Sequence, residues 1–414
     1  MNIEQIHNTP NKAENSFLLL PIIGSAQLKY LFLTLLILLS SFQKTEGQFS
    51  SHSTISILTC APGDELYSLF GHTAIRIKDT TQHKDFVFNY GTFDFNTPNF
   101  YLKFMRGELN YLLSVSSYKS FIREYRYHRR SVVEQKLNLT QEETENIIYA
   151  LMVNSQPQNR EYLYHFFYDN CATRIRDVVA DNLNGDIHFP ALTSSQINMT
   201  YRDAINNYLT NRPWTQLGLN IILGQPTDDV LSPISIQFLP DYLHDQFAKA
   251  TKADGISLVE STDQLLNFQP QKSANNISPA LILWGLLLLF GCLTSWEYKN
   301  NRFIKWINVF LLLITGIIGC LIVFLWFFTL HSVTGPNWHL LWANPLYLIA
   351  IIGLFKKQNK FHYLLLLLAG FNIIMLCLVM FLPQHLSLQL IPVWLIMILR
   401  LTAQWFYYQK TTMN

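Results

Sequence analysis

Five apolar runs fill the last third of this chain: Ile277–Trp296, Trp306–Leu330, Leu340–Phe355, Tyr363–Leu382 and Leu386–Leu399. Most approach the ~20 residues that cross a ~30 Å hydrocarbon layer; the third and fifth are shorter. In lipid a segment must satisfy its own backbone polar groups, so each run is expected to be a helix. A long, more polar stretch precedes them, and the question is on which side of a membrane it lies.

Basic residues answer that question. Lys299, Arg302 and Lys305 separate the first and second runs, and Lys356, Lys357 and Lys360 separate the third and fourth. The connections His331–His339 and Pro383–His385 carry neither Lys nor Arg. Cationic loops stay in the cytoplasm, so the first run enters from outside and Gln48–Asn276 is exported. Arg400 and Lys410, after the fifth run, then fall inside. Near the start, Lys29 precedes the apolar core Tyr30–Phe42, and Gly47 follows. That pattern reads as a secretory signal with a long leader, or as an uncleaved anchor. The expected organisation is a leader at 1–47, an exported domain at 48–250, a tether at 251–276 and a membrane domain at 277–414.

The net charge is +2 with only 14% charged residues, which excludes a nucleic-acid binder with a basic face. Of the cysteines, Cys292, Cys320 and Cys377 lie in the apolar runs, leaving Cys60 and Cys171 in the exported part. An exported pair permits a disulfide, but no Cys-x-x-Cys or Cys/His metal spacing accompanies it. A Cys60–Cys171 bridge would compete directly with any thiol chemistry.

The exported part reads as mixed α and β. Ser53–Leu58 and Phe86–Tyr90 are strand-like, and Leu66–Ile77 ends in an alternation of His72, Ala74 and Arg76 against Thr73, Ile75 and Ile77. Phe100–Gly107 suits a short helix, and Tyr111–Val115 and Val132–Leu139 suit strands. Thr140 and Glu143 form a capping box that opens a helix to about Val153. Ile175, Val178, Val179 and Leu183 recur at helical spacing, and Asp169 or Asn170 can cap that helix, which puts Cys171 in its first turn.

A thiolate is the nucleophilic form of cysteine, and a helix N-terminus favours it. Arg174 and Arg176 add positive potential nearby. Such a thiol needs a base. Among the exported histidines His72 opens an alternating strand, a firmer mount than a loop. Asn89 on the following strand, or Asp94, could orient its ring; the spacing does not choose between them. Arg123, Arg126, Arg129 and Arg130 suit a solvated face or contact with phosphate. Trp338 and Trp342 suit interfacial anchors. The stretch 331–345, with His339, is alternatively a floor beneath the thiol site.

Four strings carry a resemblance: "CAPGDELYSLFGHTAIRI", "FVFNYGTFDF", "VVEQKLNLT" and "FFYDNCATRIRD", followed by "PNWHLLWANPL" among the apolar runs. Together they resemble the lipoprotein N-acyltransferase family of Bacteroidota-type bacteria over most of Ser53–Leu399. The exported domain is also similar to permuted papain-like thiol folds such as lecithin:retinol acyltransferase. The resemblance implies an α+β exported domain of that permuted papain-like kind, then an all-α transmembrane domain of about five helices. It implies Cys171 as nucleophile and His72 as base; Asn89 stands as the candidate third catalytic group, and Asp94, Asn170, Arg174, Trp338 and His339 as candidate substrate contacts. A membrane phospholipid would donate the acyl chain and a diacylated lipoprotein would accept it, outside the inner membrane, with neither metal nor organic cofactor. Two readings compete: a papain-like hydrolase or amidase of cell wall or lipid esters, and a non-catalytic membrane assembly protein.

Overall fold

The computed structural model describes residues 49–269, 277–355 and 359–413. The leader and its segment Tyr30–Phe42 lie outside the described residues. One sheet organises the exported part. Its strands are β1 (Thr54–Cys60), β2 (His72–Asp79), β3 (Lys84–Thr92), β4 (Asn110–Ser117), β5 (Val132–Leu137), β6 (Glu161–Leu163) and β7 (Val259–Leu266). Their spatial order is β6-β4-β3-β2-β1-β5-β7, with every neighbour antiparallel.

Side-chain alternation along the central strands divides the core in two. Ile55, Ile57, Ile75, Ile77, Phe88 and Tyr90 face one layer of helices: α3 (Gln141–Asn154), α4 (Cys171–Ala180) and α7 (Pro240–Lys249). Leu58, Cys60, Ala74 and Val87 face the other way, onto Phe121 and Tyr125 of α2 (Tyr118–Tyr127). The Thr140–Glu143 capping box forms as the sequence expects, with both reciprocal hydrogen bonds present. Of the remaining helices in this part, α1 (Phe100–Arg106) lies between β3 and β4, and α5 (Tyr201–Tyr208) and α6 (Pro213–Ile222) follow α4.

The segment expected as a tether is structured in part. Val259–Leu266 forms β7, pairing with β5 at the sheet edge. It reads as polar because an edge strand leaves most of its side chains in solvent, and here only Leu266 is buried. Residues 270–276 lie outside the described residues.

The membrane part holds four helices long and apolar enough to cross a bilayer, among the described residues: Pro279–Lys299, Lys305–Phe327, Tyr363–Phe381 and Leu388–Lys410. Among these residues five helices are present as expected, one of them too short to cross. The third run forms α10 (Leu346–Phe355), ten residues long, which at ~1.5 Å per residue reaches about half the layer. Residues before it are spent on a 3₁₀ turn, Trp338–Leu341, ahead of Pro345. The neighbouring helices are α8 (Pro279–Lys299), α9 (Lys305–Phe327), α11 (Asn359–Leu378) and α12 (Ile391–Met413). The last run therefore does not end at Leu399: Arg400 is a buried helical residue paired with Glu297, not a loop residue.

The exported and membrane parts belong to one unit, Phe49–Asn414. The loop after α9 contributes to their contact. Its backbone exchanges hydrogen bonds with the α6 end, Gly224 N–H to Val333 O at 2.8 Å and Gln225 N–H to Pro336 O at 2.7 Å. Gly224 is required there, since a Cβ would collide with the Pro336 carbonyl.

Candidate active site

Cys171 is the first residue of α4, and Asn170 holds it there. The Asn170 carboxamide oxygen accepts the amides of Ala172 (2.8 Å) and Thr173 (2.9 Å), while its NH2 donates to Phe166 O (2.6 Å) and Phe238 O (2.8 Å). Both ends of the side chain are thus engaged. Asn170 positions the helix that carries Cys171, with both ends of its carboxamide committed to protein partners.

The sulfur reaches the sheet at a gap. The β2–β3 ladder stops at the Ile75–Phe88 pair, and β3 is irregular between Asn89 and Thr92. Beyond that point the amides of Thr73, Ala172 and Cys171 itself favour the Cys171 thiolate. Gly91 makes the room with a left-handed backbone, φ 84°. A Cβ at this glycine would stand 3.3 Å from the Tyr164 ring and 3.7 Å from Cys171 Cβ. Burial raises the thiol's pKa; the three amides and the charge of Arg130 oppose that rise.

His72 begins β2, one residue from Thr73, and is partly buried. Its Nε2 lies 3.3 Å from the Asn89 side-chain oxygen. With Nε2–H donating to that oxygen, Nδ1 is the unprotonated ring atom. Burial lowers the imidazole pKa to about 4; Arg130 lowers it further and the Asn89 bond opposes. The ring is therefore neutral at pH 7 and can act as an acceptor.

Cys60 faces His72 across the β1–β2 pair and is wholly buried. Burial pushes its thiol up to about 12, against a side-chain hydrogen bond with Tyr125 and the charge of Arg130. Cys60 and Cys171 are both free thiols, with no bond between them.

Arg130 ties these groups together. Its Nε–H donates to Ala61 O at 2.7 Å and its guanidinium lies 4.7 Å from the Tyr125 ring centre. The Nη2 atom is buried and has no hydrogen-bond partner. In the sequence Arg130 stands with three arginines that suit a solvated face or phosphate contact. What sets it apart is Arg129, whose left-handed φ of 52° turns the chain after α2 and sends the next side chain inward.

The other candidates are engaged with partners of their own. Arg174 grips Asp169 with two nitrogens and stacks 3.6 Å from the Tyr162 ring centre. Asp94 is exposed and caps its own loop through the Asn96 amide, 2.8 Å. Trp338 Nε1–H donates to Gln225 at 3.2 Å, and its amide donates to Gln384 at 2.7 Å. His339 is fully buried: Nε2–H donates to Asn220 O at 3.0 Å and Nδ1 accepts from Trp342 at 2.9 Å. Trp338 and His339 thus fasten the loop beneath the exported domain. His165, in the aromatic run before Cys171, does similar work through Ser332 Oγ at 2.7 Å.

Two family models match this chain. Residues 41–208 match the Lnb N-terminal periplasmic domain, and residues 270–411 match the Lnb transmembrane domain. The chain belongs to the Lnb-type lipoprotein N-acyltransferase family. No curated protein and no solved structure gives a match. Membership makes this a multi-pass membrane protein with a periplasmic N-terminal domain, of a lipoprotein-modifying kind. The Lnb periplasmic match spans His72, Asn89, Arg130 and Cys171 together, whereas α6, α7 and β7 fall between the two matched regions.

Proposed function

We propose that this protein moves an acyl chain from a membrane phospholipid, through a thioester on Cys171, to the α-amine of diacylglyceryl-cysteine lipoproteins at the periplasmic face of the inner membrane. The observation that carries this reading is the Cys171 sulfur held at a helix N-terminus, against the amide next to His72.

In the first half-reaction His72 Nδ1 takes the thiol proton as the sulfur attacks the ester carbonyl. The tetrahedral oxyanion takes hydrogen bonds from the Cys171 amide and from Arg130 Nη2, donors that need little reorganisation. The C–O bond breaks, His72 returns its proton to the leaving alkoxide, and lysophospholipid departs. In the second half-reaction the lipoprotein amine attacks the thioester, His72 accepts the amine proton, and the sulfur leaves and is reprotonated. Asn89 holds the imidazole in the tautomer this requires. A histidine strand ahead of a cysteine helix is the chain order of permuted papain-like thiol folds, which supports the assignment.

The membrane part supports a lipid reaction over cell-wall hydrolysis, because both substrates are confined to the bilayer that the four spans cross. Tyr162 and Tyr164 beside Cys171 keep bulk water from the thioester and favour the amine acceptor. Mass spectrometry of lipoprotein N-termini is the test, in cells with the chain, without it, and with Cys171→Ser. Loss of the amide-linked acyl chain in the last two is expected. Unchanged N-termini would leave hydrolysis as the better reading.

A further inference from the structure

The loop between β3 and β4 carries large apolar side chains into the open. Tyr101 is 76% exposed, Phe95 63% and Met105 50%, and Leu102 and Phe104 are also exposed. On a soluble surface such a cluster would be a liability. Its position gives it a use. The last turn of α1 is bonded to the periplasmic end of α9: Leu330 N–H donates to Arg106 O at 2.8 Å, and His331 Nε2–H to Phe104 O at 3.1 Å. Gly107 packs on His331 with a left-handed backbone, φ 69°, that disfavours a side chain. Phe327, Phe328 and Leu330, on the neighbouring end of that span, are likewise exposed. The α1 patch therefore continues the apolar surface of a membrane helix at the level where that helix leaves the bilayer.

The same loop leads inward. Phe95 packs on Phe100 (ring centres 4.9 Å), Phe100 on Phe93 (5.8 Å), Phe93 on Tyr111 (5.3 Å), and Tyr111 stacks on Tyr164 (4.4 Å). Tyr164 lies against Gly91, next to Cys171 Cβ. An unbroken row of rings thus runs from the exposed patch to the sulfur. Lys103 and Arg106 border the patch, where lipid phosphates would meet them.

We propose that Phe95–Met105 sits in the outer leaflet of the bilayer and that the aromatic row behind it guides a phospholipid acyl ester to Cys171. The insertion stands on geometry alone; the guidance rests on the acyl-transfer reading above.

The test uses the full chain in phospholipid nanodiscs. Tyr101→Cys and Met105→Cys are compared with Tyr149→Cys, at an exposed α3 position, after subtracting the parent's labelling. A membrane-permeant maleimide should label all three. A charged, impermeant maleimide should label position 149 and react at least tenfold more slowly at 101 and 105. Equal labelling by the charged reagent would overturn the insertion. A second variant, Tyr101→Glu with Met105→Glu, should form the Cys171 thioester from bilayer phospholipid at least tenfold more slowly than the parent. Its Cys171 should still react with iodoacetamide at the parent's rate, which shows an intact site. Undiminished thioester formation would overturn the guidance. Absence of thioester in the parent would instead count against acyl transfer itself, leaving the labelling result to decide insertion.

Discussion

Cys60 and His72 stand directly opposite each other in the β1–β2 register, whereas Cys171 approaches His72 only through the neighbouring Thr73 amide. Opposed residues in an antiparallel pair lie on one face with Cβ atoms ~5 Å apart, so the register sets the histidine beside Cys60, and its partnership with Cys171 is the proposal to be tested. The two thiols differ in setting. Cys60 is sealed in the core beside Tyr125 with its thiol pushed up to about 12. Cys171 has three amides on its sulfur and a helix behind it. Cys171→Ser should lower acyl transfer by on the order of 10³-fold or more, and Cys60→Ser should leave it within a few-fold. Intact-mass detection of the acyl-enzyme checks both; an adduct that survives in Cys171→Ser would end the assignment.

His72 links the site to pH. Its imidazole is held near 4, below the ordinary 6.5, so the unfolded chain binds a proton that the folded chain refuses. Stability from this group is complete above about 6.5 and is lost as pH falls towards 4. The thermal midpoint should therefore drop across that window, and drop less in His72→Gln. Thermal scans at stepped pH compare the two chains, and the difference isolates His72 from His165, whose pKa burial also lowers. In the parent the rate of Cys171 acylation should hold until pH nears 4. A loss centred at 6.5 would mean a solvated histidine.

Arg130 has a buried Nη2 without a hydrogen-bond partner, and its charge acts on both thiols and the imidazole. If Nη2 meets the oxyanion, Arg130→Met should slow thioester formation by about 10²- to 10³-fold. The lost cation would also raise the Cys171 thiol further, moving the pH curve for iodoacetamide labelling to higher pH. Arg130→Lys should restore that curve but little of the acyl transfer, because an ammonium lacks the fixed fork. Stopped-flow labelling and acylation rates separate the electrostatic role from the donor role.

Asn170 is the joint between α4 and the rest of the domain. Asn170→Ala removes the cap, worth about 1–2 kcal/mol. It also leaves the Phe166 and Phe238 carbonyls without their donor. Asn170→Asp keeps an acceptor for the helix amides but loses both donors. Chemical unfolding should rank the parent above Asp and Asp above Ala, and Cys171 labelling should slow in the same order.

Much of this site is local, and local features are legible in sequence. The alternation from His72 to Ile77, the box at Thr140 and Glu143, and a cysteine just after a capping asparagine all take their form from residues a few positions apart. The choice of Asn89 over Asp94 is not local. It depends on the Asn89 face lying beside β2, while Asp94 turns back on its own loop. Arg130 was hidden in a charge-crowded stretch because the inward turn after α2 is a tertiary event. β7 was hidden because an edge strand looks polar, and its partner β5 lies more than a hundred residues earlier. His339 looked like a substrate contact because the backbone acceptor that consumes its proton, Asn220 O, belongs to the other part of the chain.

The same long-range logic governs the cytoplasmic side of the membrane part, where Arg400 of α12 meets Glu297 of α8 with both side chains buried. Arg400 also donates to Asn308 Oδ1 at 2.7 Å and to Thr294 Oγ1 at 2.8 Å, so the guanidinium is well satisfied. A buried pair of this kind adds little net stability over an apolar replacement, but removing one partner strands the other charge. Arg400→Met alone should cost about 3–5 kcal/mol, and Glu297→Gln with Arg400→Met should recover most of it. Thermal unfolding of the purified chain in detergent measures the coupling. Additive losses from the two single variants would show that the charges do not depend on each other.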